Sequence, residues 1–168
     1  MNFALNATAF QAGWFACVLG AAYGWPWAGV AAAAGLVAFH ALRAPRPRQE
    51  LKLVAVAVLV GALWDSLLVA AGWIDFAPDA FAQNLAPYWI LAMWALFATT
   101  LNVSLGWLRR RLALAVLLGA LAGPLAYWAG ANLGALELRQ PAVALGALAL
   151  GWSAILPGLL LLARRFDR

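Results

Sequence analysis

Long apolar runs separated by short polar or basic breaks make up almost the whole chain. A helix needs about 20 largely apolar residues to cross a bilayer. Six runs approach that length: 3–23, 26–43, 52–73, 88–107, 112–134 and 142–163. The breaks are distinct. Gly24-Trp25-Pro26 reads as a tight turn, and Arg43-Ala44-Pro45-Arg46-Pro47-Arg48 as a basic, proline-broken loop. Residues 74–87 form the longest loop, Arg109-Arg110-Arg111 a second basic one, and Leu136 to Pro141 a short polar one. Pro26, Pro87 and Pro141 stand at or next to the starts of the second, fourth and sixth runs. Proline is tolerated there because the first N–H groups of a helix have no intrahelical partner.

Composition turns these runs into a membrane assignment. The 168 residues are 67% hydrophobic and only 10% charged, with mean hydropathy +0.87. A soluble domain carries roughly 25% charged residues. That excludes a soluble enzyme, a disordered tail and a secreted disulfide scaffold. The single Cys17 cannot form an intrachain disulfide and reads as a small packing residue. The expected fold is therefore all-α: a polytopic bundle of six transmembrane spans forming one integral-membrane domain over residues 1–168.

Net charge of +5 does not point to nucleic acid here, because the basic residues sit in the breaks between spans. With a cytoplasmic N-terminus, Arg43, Arg46, Arg48, Lys52, Arg109, Arg110, Arg111, Arg164, Arg165 and Arg168 lie inside, and only Arg139 outside. This predicts both termini in the cytoplasm. Asp75, Asp79 and Glu137 fall on the outer side. The start of the chain lacks a basic n-region and a small-residue cleavage site, so it reads as a retained span. Three in–out–in hairpins suggest a repeat. Val58–Leu63 resembles Val116–Leu121, and Leu67, Ala71 and Gly72 match Leu125, Ala129 and Gly130 at the same offset of 58.

Small residues mark helix-packing faces. Gly119, Gly123, Gly130 and Gly134 share one face of the fifth span, and Gly13, Gly20 and Gly24 line up with Cys17 on the first. The two stripes are expected to be packing surfaces, with packing on each other one of the options. Pro124, in mid-span, removes a backbone hydrogen bond and predicts a kink with a free carbonyl, a feature that can border a cavity.

Polar residues at membrane depth carry the candidate chemistry. Asp65 lies about 12 Å below the outer end of its helix. An acidic residue at the bilayer centre costs about 2.5–3.5 kcal/mol on insertion scales and should face the bundle interior. No Lys or Arg lies at its depth, and Tyr127 and Trp128 are its candidate donors. Two roles stay open for Asp65: a tie between helices, or an anchor for a ligand. Asn102, with Thr99, Thr100 and Ser104 nearby, either bonds across to another helix or lines a polar cavity. Asn6, Gln11 and Asn132 complete the set, and His40 reads as a membrane-interface residue. One His and one Cys make no metal site, and no cofactor is expected.

Trp25, Trp27, Trp73, Trp89 and Trp107 fall at the boundaries, as an aromatic belt. Trp14, Trp64, Trp94, Trp128 and Trp152 lie deeper, where they either line a pocket for a flat or lipid-like ligand or fill space between Ala- and Gly-rich helices. Asp79, after Pro78, could cap a short surface turn above Asp65.

The start of the chain through Trp14, residues Phe97–Leu108 and residues Gly123–Ala131 resemble the DUF2878 family of small bacterial membrane proteins of unknown function. The resemblance covers nearly the whole chain. It implies that Asn102, Pro124, Tyr127 and Trp128 belong to the family pattern, and it hints at company with lipid-modifying enzymes. It implies no catalytic residues.

Three functions follow. The first is binding or passage of a small hydrophobic or lipid-like molecule, with Asp65, Trp64, Asn102, Tyr127, Trp128 and Gln11 as the candidate site. The second is a non-catalytic accessory subunit that meets membrane lipids and a protein partner or a second copy of itself. The third, an intramembrane enzyme using Asp65, lacks a second carboxylate, a nucleophile–histidine set and metal ligands.

Overall fold

A computed structural model describes residues 2–77 and 85–166. Among these described residues are six α-helices: α1 (Phe3–Ala22), α2 (Pro26–Arg43), α3 (Pro47–Ala70), α4 (Tyr88–Ala98), α5 (Leu112–Asn132) and α6 (Pro141–Phe166). Four of them, α1, α3, α5 and α6, are long and apolar enough to cross a membrane. The bundle has two chemically different ends. One holds the Arg43–Arg48 break, the α4–α5 connection and the end of α6; we call it the arginine end. The other holds the turns after α1, α3 and α5.

Those three helices end alike. Gly24, Gly72 and Gly134 adopt φ of +76°, +68° and +86°, a conformation open to glycine and strained for other residues. The next residue then reaches back five positions: Trp25 N–H to the Gly20 carbonyl at 2.7 Å, Trp73 to Leu68 at 3.1 Å, and Ala135 to Gly130 at 3.0 Å. This is the Schellman arrangement, which caps the last helical carbonyls.

Two of the breaks hold strands as well as loops. Ile74–Phe76 (β1) pairs antiparallel with Leu136–Leu138 (β2), with Ile74 opposite Leu138 and Phe76 opposite Leu136. The ribbon ties the α3–α4 connection to the α5–α6 connection. From Gly72 to Gly134, and from Ile74 to Leu136, equivalent positions lie 62 residues apart, one helical turn more than the sequence offset of 58. Asp75 faces Glu137 across the ribbon, a repulsive pairing, and exposed Arg139 offsets it with a 2.5 Å bond to Asp75. That carboxylate raises the Arg139 pKa above its ordinary value. The expected surface turn at Asp79 lies outside the described residues.

The fourth apolar run is not one helix. Helix α4 stops at Ala98, turns occupy 99–105, and a 3₁₀ segment follows at Gly106–Arg110. The reason is local competition for backbone groups. The Thr99 and Thr100 hydroxyls donate to the Leu96 and Phe97 carbonyls, and Asn6 of α1 binds both the Thr99 carbonyl and the Ser104 N–H, each at 3.1 Å.

Glycines set the helix spacing, and tryptophans fill it. A Cβ on Gly61 of α3 would fall inside the Trp94 ring. On Gly151 of α6 it would meet Trp64, and on Gly123 of α5 it would meet Trp152. In lipid, helix association relies on such close packing, because the solvent is as apolar as the side chains. The two predicted glycine stripes pack on different partners and not on each other. Gly119 and Gly123 meet α6, while Gly13 meets Leu96 and Leu36, and Gly20 meets the start of α2. Gly130 abuts Leu136 of the ribbon. Cys17 is buried against Gly29. Helix α5 runs through Pro124 unbroken, and α6 likewise carries a buried proline, Pro157.

Candidate functional site

Asp65 is fully buried at the meeting point of three helices. Its Oδ2 accepts the Trp94 Nε1–H of α4 at 2.6 Å, and its Oδ1 accepts the Tyr127 hydroxyl of α5 in a short hydrogen bond. The register places it there. Gly61 and Leu68 lie on the same buried stripe of α3, and the missing side chain at Gly61 admits the Trp94 ring to Asp65. Trp94 then stacks on Trp152 of α6, with centroids 4.9 Å apart and planes 11° from parallel. Of the two donors expected from sequence, Tyr127 reaches Asp65; the other bond comes from Trp94.

In front of this knot lies a cavity of about 830 Å³. Ligand pockets span about 300–1,000 Å³. Helix α1 forms one wall with Phe10, Gln11, Trp14 and Phe15; α4 forms the back with Trp89, Met93, Trp94 and Phe97; α5 forms the other wall from Leu118 to Asn132. No Asp, Glu, Lys or Arg is among its lining residues in the described part of the chain. Helices α1 and α5 face each other across this space. Helix α5 packs chiefly on α6, and α1 on α2 and α4. Trp128, at the rim, is half exposed.

The candidate residues thus separate into two places. Gln11, Tyr127 and Trp128 line the cavity, and Asp65 stands behind it, holding two wall residues, Trp94 and Tyr127. Trp64 is off the wall, between α3 and α6, and its Nε1 has no partner among the described residues. Asn102 is at the arginine end. Of the five deep tryptophans, Trp14 and Trp128 line the cavity; Trp94 and Trp152 line it and also seat on glycine; Trp64 only fills space.

At the arginine end a second polar cluster forms around Glu50. Its Oε1 accepts Asn102 Nδ2 at 2.7 Å, and its Oε2 lies 3.2 Å from His40 Nε2. Arg109 Nη1 donates to Asn102 Oδ1 at 3.2 Å. Four segments meet there: the end of α2, the start of α3, the turns after α4, and the 3₁₀ segment. His40 is buried in this cluster, where the sequence suggested a membrane-interface residue. Glu50 escaped sequence reasoning because α3 begins at Pro47, five residues before the predicted span. The signal available was Pro47 followed three positions later by an acid, as at a helix start.

The family model for DUF2878, a protein family of unknown function, matches residues 3–158, nearly the whole chain. The chain belongs to the DUF2878 family. No curated protein and no solved structure matches it. Both the Asp65 knot and the Glu50 cluster lie within the DUF2878 match, as do all the helices up to the last turns of α6.

Proposed function

We propose that this DUF2878 protein holds or passes a small hydrophobic or lipid-like molecule in the cavity between α1, α4 and α5. The observation that carries the reading is an apolar cavity of about 830 Å³ inside a chain whose composition belongs in a bilayer. Asp65 acts in this reading as a positioning residue, since both its oxygens are engaged by Trp94 and Tyr127. The setting is a bacterial inner membrane, crossed six times with both termini in the cytoplasm. Ten basic residues on the arginine side against Arg139 on the other support that orientation. Helix α4 with the turns and 3₁₀ segment after it makes the fourth crossing. Irregular backbone is tolerated at membrane depth where protein covers it, and Thr99, Thr100, Leu101 and Ser104 are all buried.

The test is lipid mass spectrometry on the detergent-purified wild type, Ala126→Phe and Leu150→Phe. Ala126 lines the cavity, and Leu150 points outward, 75% exposed. The expected result is a defined molecule retained by the wild type and Leu150→Phe and lost from Ala126→Phe. The same bulk phospholipids in all three would refute the reading. An accessory subunit is the second reading. The outward row Leu117, Leu121, Leu125 and Trp128 on α5, of which Leu125 and Trp128 also line the cavity, favours a partner helix there.

A further inference from the structure

Where the cavity opens, and what stands at its two ends, narrows the class of occupant. Its opening is lateral. Exposed Gln11 and Phe15 of α1 flank it on one side, and exposed Ala122, Leu125 and Trp128 of α5 on the other. At the ribbon end the two helix ends come together, where a Cβ on Gly134 would lie 3.8 Å from Ala22. At the other end half-buried Phe10, Leu105 and Leu118 line the cavity. Exposed Arg110 and Arg111 come two and three positions after Leu108, another lining residue, and about 10 Å along the chain axis before Leu118.

The cavity is also long and narrow. Its α5 wall, Leu118 to Asn132, covers about 21 Å at 1.5 Å per residue. Spread over that length, about 830 Å³ is a mean section of roughly 40 Å². A helix with its side chains, about 10–12 Å across, needs roughly 80–110 Å². A hydrocarbon chain with neighbours at about 4.0–4.5 Å needs roughly 20 Å². The space therefore suits alkyl chains and is too thin for a helix. A charged head inside would be left unpaired among apolar side chains, at a high free-energy cost. The head must then sit at one end. The ribbon end carries exposed Asp75 and Glu137 against Arg139, while at the arginine end the described acid is Glu50, buried and held by His40 and Asn102.

Resting on the cavity reading above, we propose that the occupant is a long-chain amphiphile whose anionic head, a carboxylate or a phosphate, sits at Arg110 and Arg111 and whose tail runs up the cavity between α1 and α5. Arginine's planar fork matches either head. Arg111 lies over the Trp107 ring, 5.9 Å from its centroid, which leaves its N–H edge for an anion. Arg109 is not part of this site, since it donates to Asn102 and to the Gly106 carbonyl.

The test uses dibromostearate as probe, because bromines on its tail quench indole emission on contact. The whole protein is titrated in detergent at about pH 8, where the acid is ionised, and at about 0.1 M salt, where exposed charges more than about 10 Å apart are screened. The wild type should quench saturably, and Ala126→Phe should lose the saturable phase. Arg110→Gln with Arg111→Gln should weaken binding roughly tenfold to thirtyfold, at about fivefold for each arginine at the surface. Arg43→Gln with Arg48→Gln removes the same charge from the same end, away from the lining residues, and should change affinity by less than about twofold. Competition by phosphatidylglycerol assigns a phosphate head, and competition by palmitate alone a carboxylate; either supports the proposal. Equal losses in the two double variants would overturn it. So would competition by phosphatidylcholine as strong as by phosphatidylglycerol, or a wild type that does not quench saturably. The cavity reading fails separately. If the methyl ester of the probe binds as tightly as the acid and Ala126→Phe loses both, the cavity holds an uncharged ligand and the anionic head alone is refuted. If Ala126→Phe keeps the saturable phase, both statements fall.

Discussion

Replacing Asp65 tests how the cavity wall is held. The carboxylate accepts two hydrogen bonds, from Trp94 Nε1 and the Tyr127 hydroxyl, inside the bundle. The two donors differ. Indole N–H can only donate, whereas a phenol can turn and accept. In Asp65→Asn the amide oxygen keeps Trp94, and the amide nitrogen donates to the Tyr127 oxygen. Both contacts survive in altered form, and the expected loss is below about 1 kcal/mol, the scale of one interhelical hydrogen bond in a membrane protein. In Asp65→Leu both donors lose their acceptor. Interhelical hydrogen bonds measured in bilayers average about 0.6 and reach about 1.7 kcal/mol, so two give roughly 1–3 kcal/mol. Leucine also removes an acid that costs about 2.5–3.5 kcal/mol to insert. The leucine variant should therefore insert as well as wild type or better, yet hold α3, α4 and α5 together less well. The assay pairs membrane yield with thermal unfolding in detergent, followed by tryptophan emission. The expected order of unfolding temperature is wild type, then Asp65→Asn, then Asp65→Leu, with no loss of insertion. An Asp65→Leu protein that unfolds at the wild-type temperature and keeps its co-purified molecule would refute the positioning role.

Other predictions follow from the same contacts. Gly61→Val puts a side chain where the Trp94 ring lies and should abolish recovery of folded protein, while Gly35→Ala, with open space around it, should melt as wild type. Glu50→Ala strips His40 and Asn102 of their shared partner, and should lower the unfolding temperature more than Glu50→Gln, which keeps an acceptor for Asn102. Arg139→Gln should leave the melting temperature unchanged, because the pair with Asp75 is exposed, but should speed amide exchange in Ile74–Phe76, where Asp75 then faces Glu137 uncompensated. Cysteines placed at Arg110 and Arg139 should label from opposite sides of inverted and right-side-out vesicles; labelling from one side would contradict the orientation.

Much of the helical layout was legible because hydrophobic run length is a strong signal in lipid. The first, second and fifth helices start and stop within about two residues of the apolar runs. The fourth run misled, because hydropathy does not register that Thr99, Thr100 and Asn6 capture backbone groups that a helix would use. The ribbon was hidden for a related reason. Three residues per strand carry little alternation, and their pairing joins segments 62 positions apart. Asp65 stood out as an acid inside an apolar run. Its partner Trp94 did not, since ten tryptophans offer no sequence sign of which indole points inward. Glu50 was obscured by the surrounding arginines, which read as loop rather than as the first turn of α3.

The account rests on an occupied cavity, and a photocrosslink placed inside it tests that claim most directly. Benzoyl-phenylalanine at Ala122, on the cavity wall, and at Leu150, on the outward face of α6, would be irradiated in native membranes. Intact-mass analysis of the purified protein then reads the adducts. The account predicts one dominant adduct of defined mass at Ala122 and a spread of phospholipid masses at Leu150. The same phospholipid spread at both positions would contradict it, and would make the space between α1 and α5 ordinary bilayer.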